Sequence, residues 1–126
     1  MASMDESGNI FCTNNTTFDL YSEFYDEIGN LINLTGFTAK MQVKTSNNQS
    51  CSDLIIEFST ENGRIILGGI AGTIIIQASK ADMSLLPIGQ YYYDFVINTG
   101  STEINYFNEV KTFNIQGGIT TIWIKL

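Results

Sequence analysis

Residues 38–44 read Thr-Ala-Lys-Met-Gln-Val-Lys and alternate strictly between polar and apolar side chains. Ala39, Met41 and Val43 therefore fall on one side of an extended chain, with only polar residues on the other side. This period of two predicts a β-strand that buries one face and exposes the other. Residues 18–25 and 91–97 repeat the alternation, so we expect the chain to be built on half-buried strands.

Shorter runs rich in β-branched residues also favour strands. They are residues 54–58, 64–67, 73–77, 106–115 and 120–126. Turn-forming residues separate the runs, among them Glu61-Asn62-Gly63 and Gly117-Gly118. The spacing predicts an all-β chain folded as an antiparallel β-sandwich of about 7–9 strands.

One segment departs from the strand pattern. Ser79 is a suitable N-cap, Asp82 follows it at the third helical position, and Pro87 ends the segment. We therefore predict one short helix near residues 79–86. A helix of this length is too short to cover a sheet, so we expect it to plug one end of the sandwich.

The length of 126 residues fits one domain with one core. We expect a flexible N-terminal arm over residues 1–10, a β-sandwich domain over residues 11–118 and a C-terminal strand over residues 119–126. The first nine residues are small, polar and acidic, whereas a secretory signal is basic and then apolar. We therefore predict no signal peptide.

The charge balance excludes some classes of partner. Thirteen Asp and Glu residues against six Lys and Arg residues give a net charge of -7, and the cations are scattered singly. Phosphate groups are repelled by such a surface, so nucleic acid and anionic membranes are not expected partners.

The residue types present also limit catalysis. The chain has no histidine, which removes the usual acid–base group at neutral pH and the commonest transition-metal ligand. Two isolated cysteines, Cys12 and Cys51, do not make a zinc site by themselves. We expect both thiols to be unpaired, with a single bridge between them as the alternative. The sequence thus predicts no enzyme, no catalytic residue, no metal and no cofactor.

The carboxylates at two places in the sequence each have a functional and a structural interpretation. Asp26 and Glu27 precede Gly29-Asn30, a composition that suits calcium but lacks the alternating ligand spacing of a calcium loop, so an acidic hairpin turn is favoured. Asp94 lies in an apolar strand and is either a buried carboxylate with a raised pKa or an outward-facing residue, the second being favoured. An enzyme would have to rest on such carboxylates, with Asp94 and Glu109 as the candidates.

Glycines and tyrosines also suggest sites. The run from Gly68 to Gly72 resembles a phosphate loop in composition, but Thr73 and a β-branched run follow it instead of Lys and a helix, so a turn is favoured. In Tyr91-Tyr92-Tyr93 the alternation sends Tyr92 to the face opposite its neighbours. Core packing is therefore favoured over an aromatic stacking platform.

The C-terminal segment, residues 119–126, is strongly β-forming and carries the only tryptophan of the chain. It is either the final strand of the domain or an adhesive strand that pairs with a partner chain. The candidate interface residues are Ile119, Ile122, Trp123, Ile124 and Leu126.

Two blocks resemble a known kind of domain. Residues 29–44 combine a turn, the sequence Asn-Leu-Thr-Gly and the alternating strand; residues 63–97 combine a glycine-bounded hairpin, the short helix, Pro87-Ile88-Gly89-Gln90-Tyr91 and Tyr93-Asp94. Together they are similar to a β-sandwich domain widespread among tailed-phage virion proteins, the N-terminal immunoglobulin-like domain of upper baseplate proteins. The chain departs from that pattern at residues 12–17, where a Gly-Asp-Thr start is usual, and at Glu109, where a glycine is usual.

The resemblance implies a virion structural protein, made in the host cytoplasm. It would act as an adaptor or attachment domain of the tail, baseplate or neck that links the particle core to fibres or receptor-binding components. Other virion proteins and further copies of the chain, in a homo-oligomer or ring, are the implied partners. The alternative is a carbohydrate-binding or adhesin-type module with Tyr92, Tyr106 and Trp123 as stacking residues.

Overall fold

The computed structural model describes residues 2–46, 53–105 and 110–117. These residues form two open β-sheets, of seven and three strands, with one short α-helix and one 3-10 turn. The strands are β1 (Ala2–Met4), β2 (Ile10–Thr13), β3 (Phe18–Glu23), β4 (Thr38–Lys44), β5 (Leu54–Ser59), β6 (Ile65–Leu67), β7 (Thr73–Ala78), β8 (Gly89–Asn98), β9 (Glu103–Asn105) and β10 (Lys111–Gln116). The helix α1 is Lys80–Met83, and the 3-10 turn is Gly69–Ala71. The mostly β, sandwich-like architecture is confirmed.

The large sheet has the order β1-β2-β10-β8-β4-β5, and β9 pairs with β8 beyond the end of β10. All its neighbouring strands are antiparallel except β2 and β10, which are parallel. Side chains join this parallel pair: Asn9 Oδ1 accepts hydrogen bonds from the backbone N–H and the hydroxyl of Thr112, and Asn114 Nδ2 donates to the carbonyl of Ile10.

Two features of the large sheet differ from the predicted sandwich. The described residues contain ten strands instead of about 7–9, because β1, β2 and β9 have only three or four residues each, too few to show a sustained alternation. The pairing is also not wholly antiparallel. A tight turn imposes antiparallel pairing on consecutive strands, but β2 and β10 lie near opposite ends of the chain and no turn sets their relative direction.

The small sheet has the order β3-β7-β6, with both pairs antiparallel. Its inner face packs against the large sheet around Phe18, which is fully buried. The Phe18 ring lies 5.1 Å from the ring of Phe58 on β5 and 5.5 Å from that of Phe113 on β10, measured between centroids. These aromatic contacts tie the small sheet to two separate strands of the large one.

The alternating strands behave as predicted. Ala39, Met41 and Val43 on β4 are buried, as are Tyr93, Phe95 and Ile97 on β8, and Met41 lies opposite Phe95 in the register. Tyr92, Asp94 and Val96 point to the outer face and are half-buried. The period-two pattern therefore correctly separated the core-facing from the outward-facing residues of β4 and β8.

The predicted short helix is confirmed, although α1 covers only Lys80–Met83 of the predicted residues 79–86 and ends before Pro87. The Ser79 hydroxyl accepts a hydrogen bond from the backbone N–H of Asp82, as an N-cap does. Met83 and Leu86 are buried in the common core, so this segment closes part of the sandwich.

The segment predicted to be a flexible N-terminal arm contains β1, which pairs antiparallel with β2 and forms one edge of the large sheet. The Asp5 carboxylate closes the turn between them by accepting hydrogen bonds from the backbone N–H groups of Ser7 and Asn9. The bond from the Asn9 N–H is the main cause that lowers the pKa of Asp5. Three residues, Ala2–Met4, are too few to show a period of two, so this segment gave no strand signal.

Candidate functional site

The outer face of the small sheet carries an exposed apolar row. Tyr21 on β3 and Ile66 on β6 both lie opposite Ile75 on the central strand β7, so the three side chains cross the whole sheet side by side. Their neighbours along each strand point inward into the core. Tyr21 remains 61% exposed and Ile66 remains 45% exposed.

A carboxylate interrupts the apolar surface on one side of this row. Glu23 follows Tyr21 on the same face of β3, and its carboxylate oxygens accept a 2.7 Å hydrogen bond from the phenol of Tyr25 and a 3.5 Å one from that of Tyr21. The hydrogen bond to Glu23 raises the pKa of the Tyr25 phenol. Tyr25 forms a β-bridge with Leu31, and both side chains are exposed. We define the tyrosine face as six residues, of which Glu23 and Ile75 are half-buried and the other four are exposed: Tyr21, Glu23, Tyr25, Leu31, Ile66 and Ile75.

On the other side of the apolar row the surface is polar and its cation is already paired. Arg64 donates to the Asp82 carboxylate at 2.8 Å and to the backbone carbonyl of Glu57 at 2.9 Å. The Arg64 guanidinium holds the pKa of Asp82 below its usual range. Glu23 forms no ion pair within the described ranges 2–46, 53–105 and 110–117. The tyrosine face therefore carries one carboxylate without a cation.

The turn that presents Tyr25 and Leu31 is built by local hydrogen bonds. Asp26 Oδ1 accepts from the backbone N–H groups of Ile28 and Asn30, and Gly29 adopts a positive φ of 99°. The predicted acidic hairpin turn is therefore confirmed. In the part of the chain that the structure describes, no three acidic, cysteine or histidine side chains are grouped to hold a metal ion.

Gly72 brings this turn against the small sheet. It has a φ of +65°, and a Cβ atom at this position would lie 2.9 Å from the carbonyl oxygen of Ile32. The close approach lets Phe24 N–H donate to the Gly72 carbonyl and extends the sheet beyond Glu23. Gly72 is followed by strand β7, which begins at Thr73, and not by the helix that a phosphate loop opens, so the turn interpretation of Gly68 to Gly72 is confirmed.

The remaining predicted residues are distributed over the molecule. Cys12 is a free, buried thiol whose pKa burial raises to about 11, and its Sγ lies 3.6 Å from the Asn114 carbonyl as a weak donor, so it is a poor nucleophile at neutral pH. Asp94 faces outward opposite Gln42, as favoured. Tyr92 is outward and half-buried opposite Lys44.

Several predicted residues lie outside the described ranges. They are Cys51, Tyr106, Glu109 and the five C-terminal interface residues Ile119, Ile122, Trp123, Ile124 and Leu126. The structure thus does not bring the three proposed stacking residues, or the two candidate carboxylates, into one described site. No described helix has both the length and the apolar character to cross a membrane.

The tyrosine face itself was not identified as a site from the sequence. The alternation placed Tyr21 and Tyr25 on the outward side of β3, and that was the available signal. Ile66 and Ile75 join them only through the strand register, which the sequence does not reveal.

No protein-family model matches this chain, and a search of curated proteins found no match. The resemblance to phage baseplate domains therefore stays a prediction from residues 29–44 and 63–97.

Proposed function

We propose that this chain is a structural interaction domain of a tailed-phage particle, an adaptor or attachment domain of the tail, baseplate or neck. In this role it links the particle core to fibres or receptor-binding components. We further propose that the sandwich is immunoglobulin-like, that the domain has no catalytic role, and that it works as a homo-oligomer or ring located in the virion. Nucleic acid and membranes are not among its proposed partners.

The observation that carries the proposal is the apolar row Tyr21-Ile75-Ile66 on the outer face of the small sheet, in which Tyr21 and Ile66 are exposed and Ile75 is half-buried. Contiguous apolar side chains on a sheet face mark interaction surfaces more often than scattered ones do. Each of these partly exposed side chains contributes about 1 kcal/mol when a partner covers it. A rigid sheet presents them without an ordering cost, which favours a permanent contact in an assembly.

The tyrosine face is too small to form a stable interface by itself. A stable interface needs about 800 Å² on each partner, which is more than six side chains of one small sheet supply. The edge strands are the next available surfaces, because among the described residues β3 and β5 each pair on one side only. We therefore propose that partners contact the tyrosine face together with an adjacent sheet edge.

The direct test is whether the chain is part of a particle. We expect it to copurify with tailed-phage particles on a density gradient, and immunogold microscopy with antibodies to the purified chain should label the tail or neck. A chain that stays in the soluble fraction while infectious particles sediment without it would contradict the proposal.

One observation favours the second candidate function, a carbohydrate-binding or adhesin-type module. Tyr21 and Tyr25 flank the Glu23 carboxylate on an exposed face, and aromatic rings beside a hydrogen-bond acceptor suit sugar recognition. Glycan-array binding that disappears in Tyr21→Ala, but persists in Tyr92→Ala on the large sheet, would support this function. Binding to no glycan by the intact chain would exclude it.

A further inference from the structure

We propose that the tyrosine face docks a different protein that presents a lysine or arginine between aliphatic side chains, with the cation paired to Glu23. This inference rests on the proposed interaction function and names the chemistry of the partner. It follows from the charge, the hydrogen bonds and the strand spacing of the face.

The partner must supply a cation because docking removes water from the Glu23 carboxylate. Its carboxylate accepts hydrogen bonds from two phenols but has no ion-pair partner within the described residues. Covering the face with apolar groups alone would remove water from a carboxylate and leave its charge unpaired, which is costly. A lysine or arginine from the partner compensates that charge. The rings of Tyr21 and Tyr25 on either side add favourable contacts with a cation.

The charge of the face argues against its pairing with itself. In a two-fold dimer the same surface faces its own copy, so the Glu23 carboxylates would be brought together. The tyrosine face offers no lysine or arginine to separate them, and the acidic turn of Asp26 and Glu27 adjoins it. With a net charge of -7, the chain repels a second copy at this face.

The spacing along β3 indicates the form of the partner segment. Tyr21, Glu23 and Tyr25 occupy alternate positions, and alternate side chains of a strand are about 6.6 Å apart. An extended segment that lies over β3 has the same spacing in its own side chains. A sequence of the form aliphatic-x-Lys/Arg-x-aliphatic therefore puts its cation over Glu23 and its apolar residues over the two tyrosines.

The test uses random 12-residue peptides displayed on a carrier and selected against the purified chain. Wild type should enrich peptides with a lysine or arginine flanked at alternate positions by aliphatic residues. Glu23→Lys reverses the charge at the centre of the face and should lose at least tenfold of this enrichment. Glu61→Lys makes the same charge change in the exposed β5–β6 turn and serves as the matched control, with unchanged enrichment expected.

Circular dichroism and thermal unfolding first establish that both variants are folded. Equal enrichment of basic peptides by wild type and Glu23→Lys would overturn the inference, as would the absence of any such enrichment by wild type. If wild type self-associates and Ile66→Lys abolishes this association, the inference is also overturned, because the tyrosine face then binds a second copy of the chain. In that case Lys40 or Lys44 on the large sheet of the second copy would be the cation that pairs with Glu23.

The two proposals fail separately. A chain found in phage particles that selects no basic peptide retains the proposed function and loses this inference. A chain absent from particles loses the proposed function whatever peptides it selects.

Discussion

The phenol of Tyr93 donates a 2.6 Å hydrogen bond to the backbone carbonyl of Gly8, which joins the centre of β8 to the loop between β1 and β2. Tyr93 and Gly8 are both buried, so water does not replace this bond if it is lost. The N-terminal hairpin is thereby anchored to a strand more than eighty residues away in the chain.

Tyr93→Phe should lower the free energy of unfolding by about 1–2 kcal/mol, because it leaves the Gly8 carbonyl buried without this donor. Urea unfolding followed by circular dichroism measures the change. Tyr92→Phe is the matched control: its side chain faces outward on the same strand, and its effect should stay within about 0.5 kcal/mol. Equal effects of the two variants would show that the Gly8 bond contributes nothing.

Phe18→Ala should cost about 3–5 kcal/mol, because Phe18 is fully buried against Phe58 and Phe113 and the two sheets meet there. Thermal or urea unfolding gives the value. Tyr21→Ala, three positions along the same strand, removes an aromatic side chain from the exposed face and should leave stability nearly unchanged. A small loss in Phe18→Ala would mean that the sandwich core does not centre on this residue.

Gly72→Ala should destabilise the protein more than Gly63→Ala does. Both glycines have positive φ, so each substitution carries a conformational cost of about 1 kcal/mol. At Gly72 the added Cβ also lies 2.9 Å from the Ile32 carbonyl oxygen, whereas no atom lies within 4 Å of it at Gly63. Unfolding measurements on the two variants isolate the steric part, and equal losses would contradict the close approach.

Stability should fall at alkaline pH partly because of Cys12. Burial raises the pKa of its thiol to about 11, so above pH 9 the unfolded chain releases this proton while the folded chain retains it. The contribution of the protonated Cys12 thiol to the free energy of unfolding is complete at pH 8 and is lost as the pH approaches 11. The difference in unfolding free energy between wild type and Cys12→Ala should therefore shrink by about 1–2 kcal/mol over this range. A difference that is constant with pH would show that the thiol does not titrate differently in the two states.

The parts of the fold that were predictable are those with a local cause. Ala39, Met41 and Val43 alternate because one face of β4 is buried, and Ser79 caps α1 through a bond to a residue three positions on. The parallel pairing of β2 with β10 has no local signal, because Asn9 and Thr112 meet only in the folded sheet. Strand β1 escaped prediction for a different reason, because its three residues are too few to show an alternating pattern.

The tyrosine face was likewise predictable only in the part that has a local cause. The outward positions of Tyr21 and Tyr25 follow from the period of two in β3. The row that makes them a surface needs Ile75 and Ile66 opposite Tyr21, and a shift of one residue in register would have turned these side chains into the core.

The position of β10 between β2 and β8 constrains the order in which the large sheet is completed during synthesis. Among the described strands, β10 is the one that pairs the hairpin β1–β2 with the rest of the large sheet, so Ile10 gains its second neighbouring strand only after residues 111–116 have left the ribosome. Such long-range closure makes folding slow, and the nascent chain must keep this hairpin from premature association with neighbours.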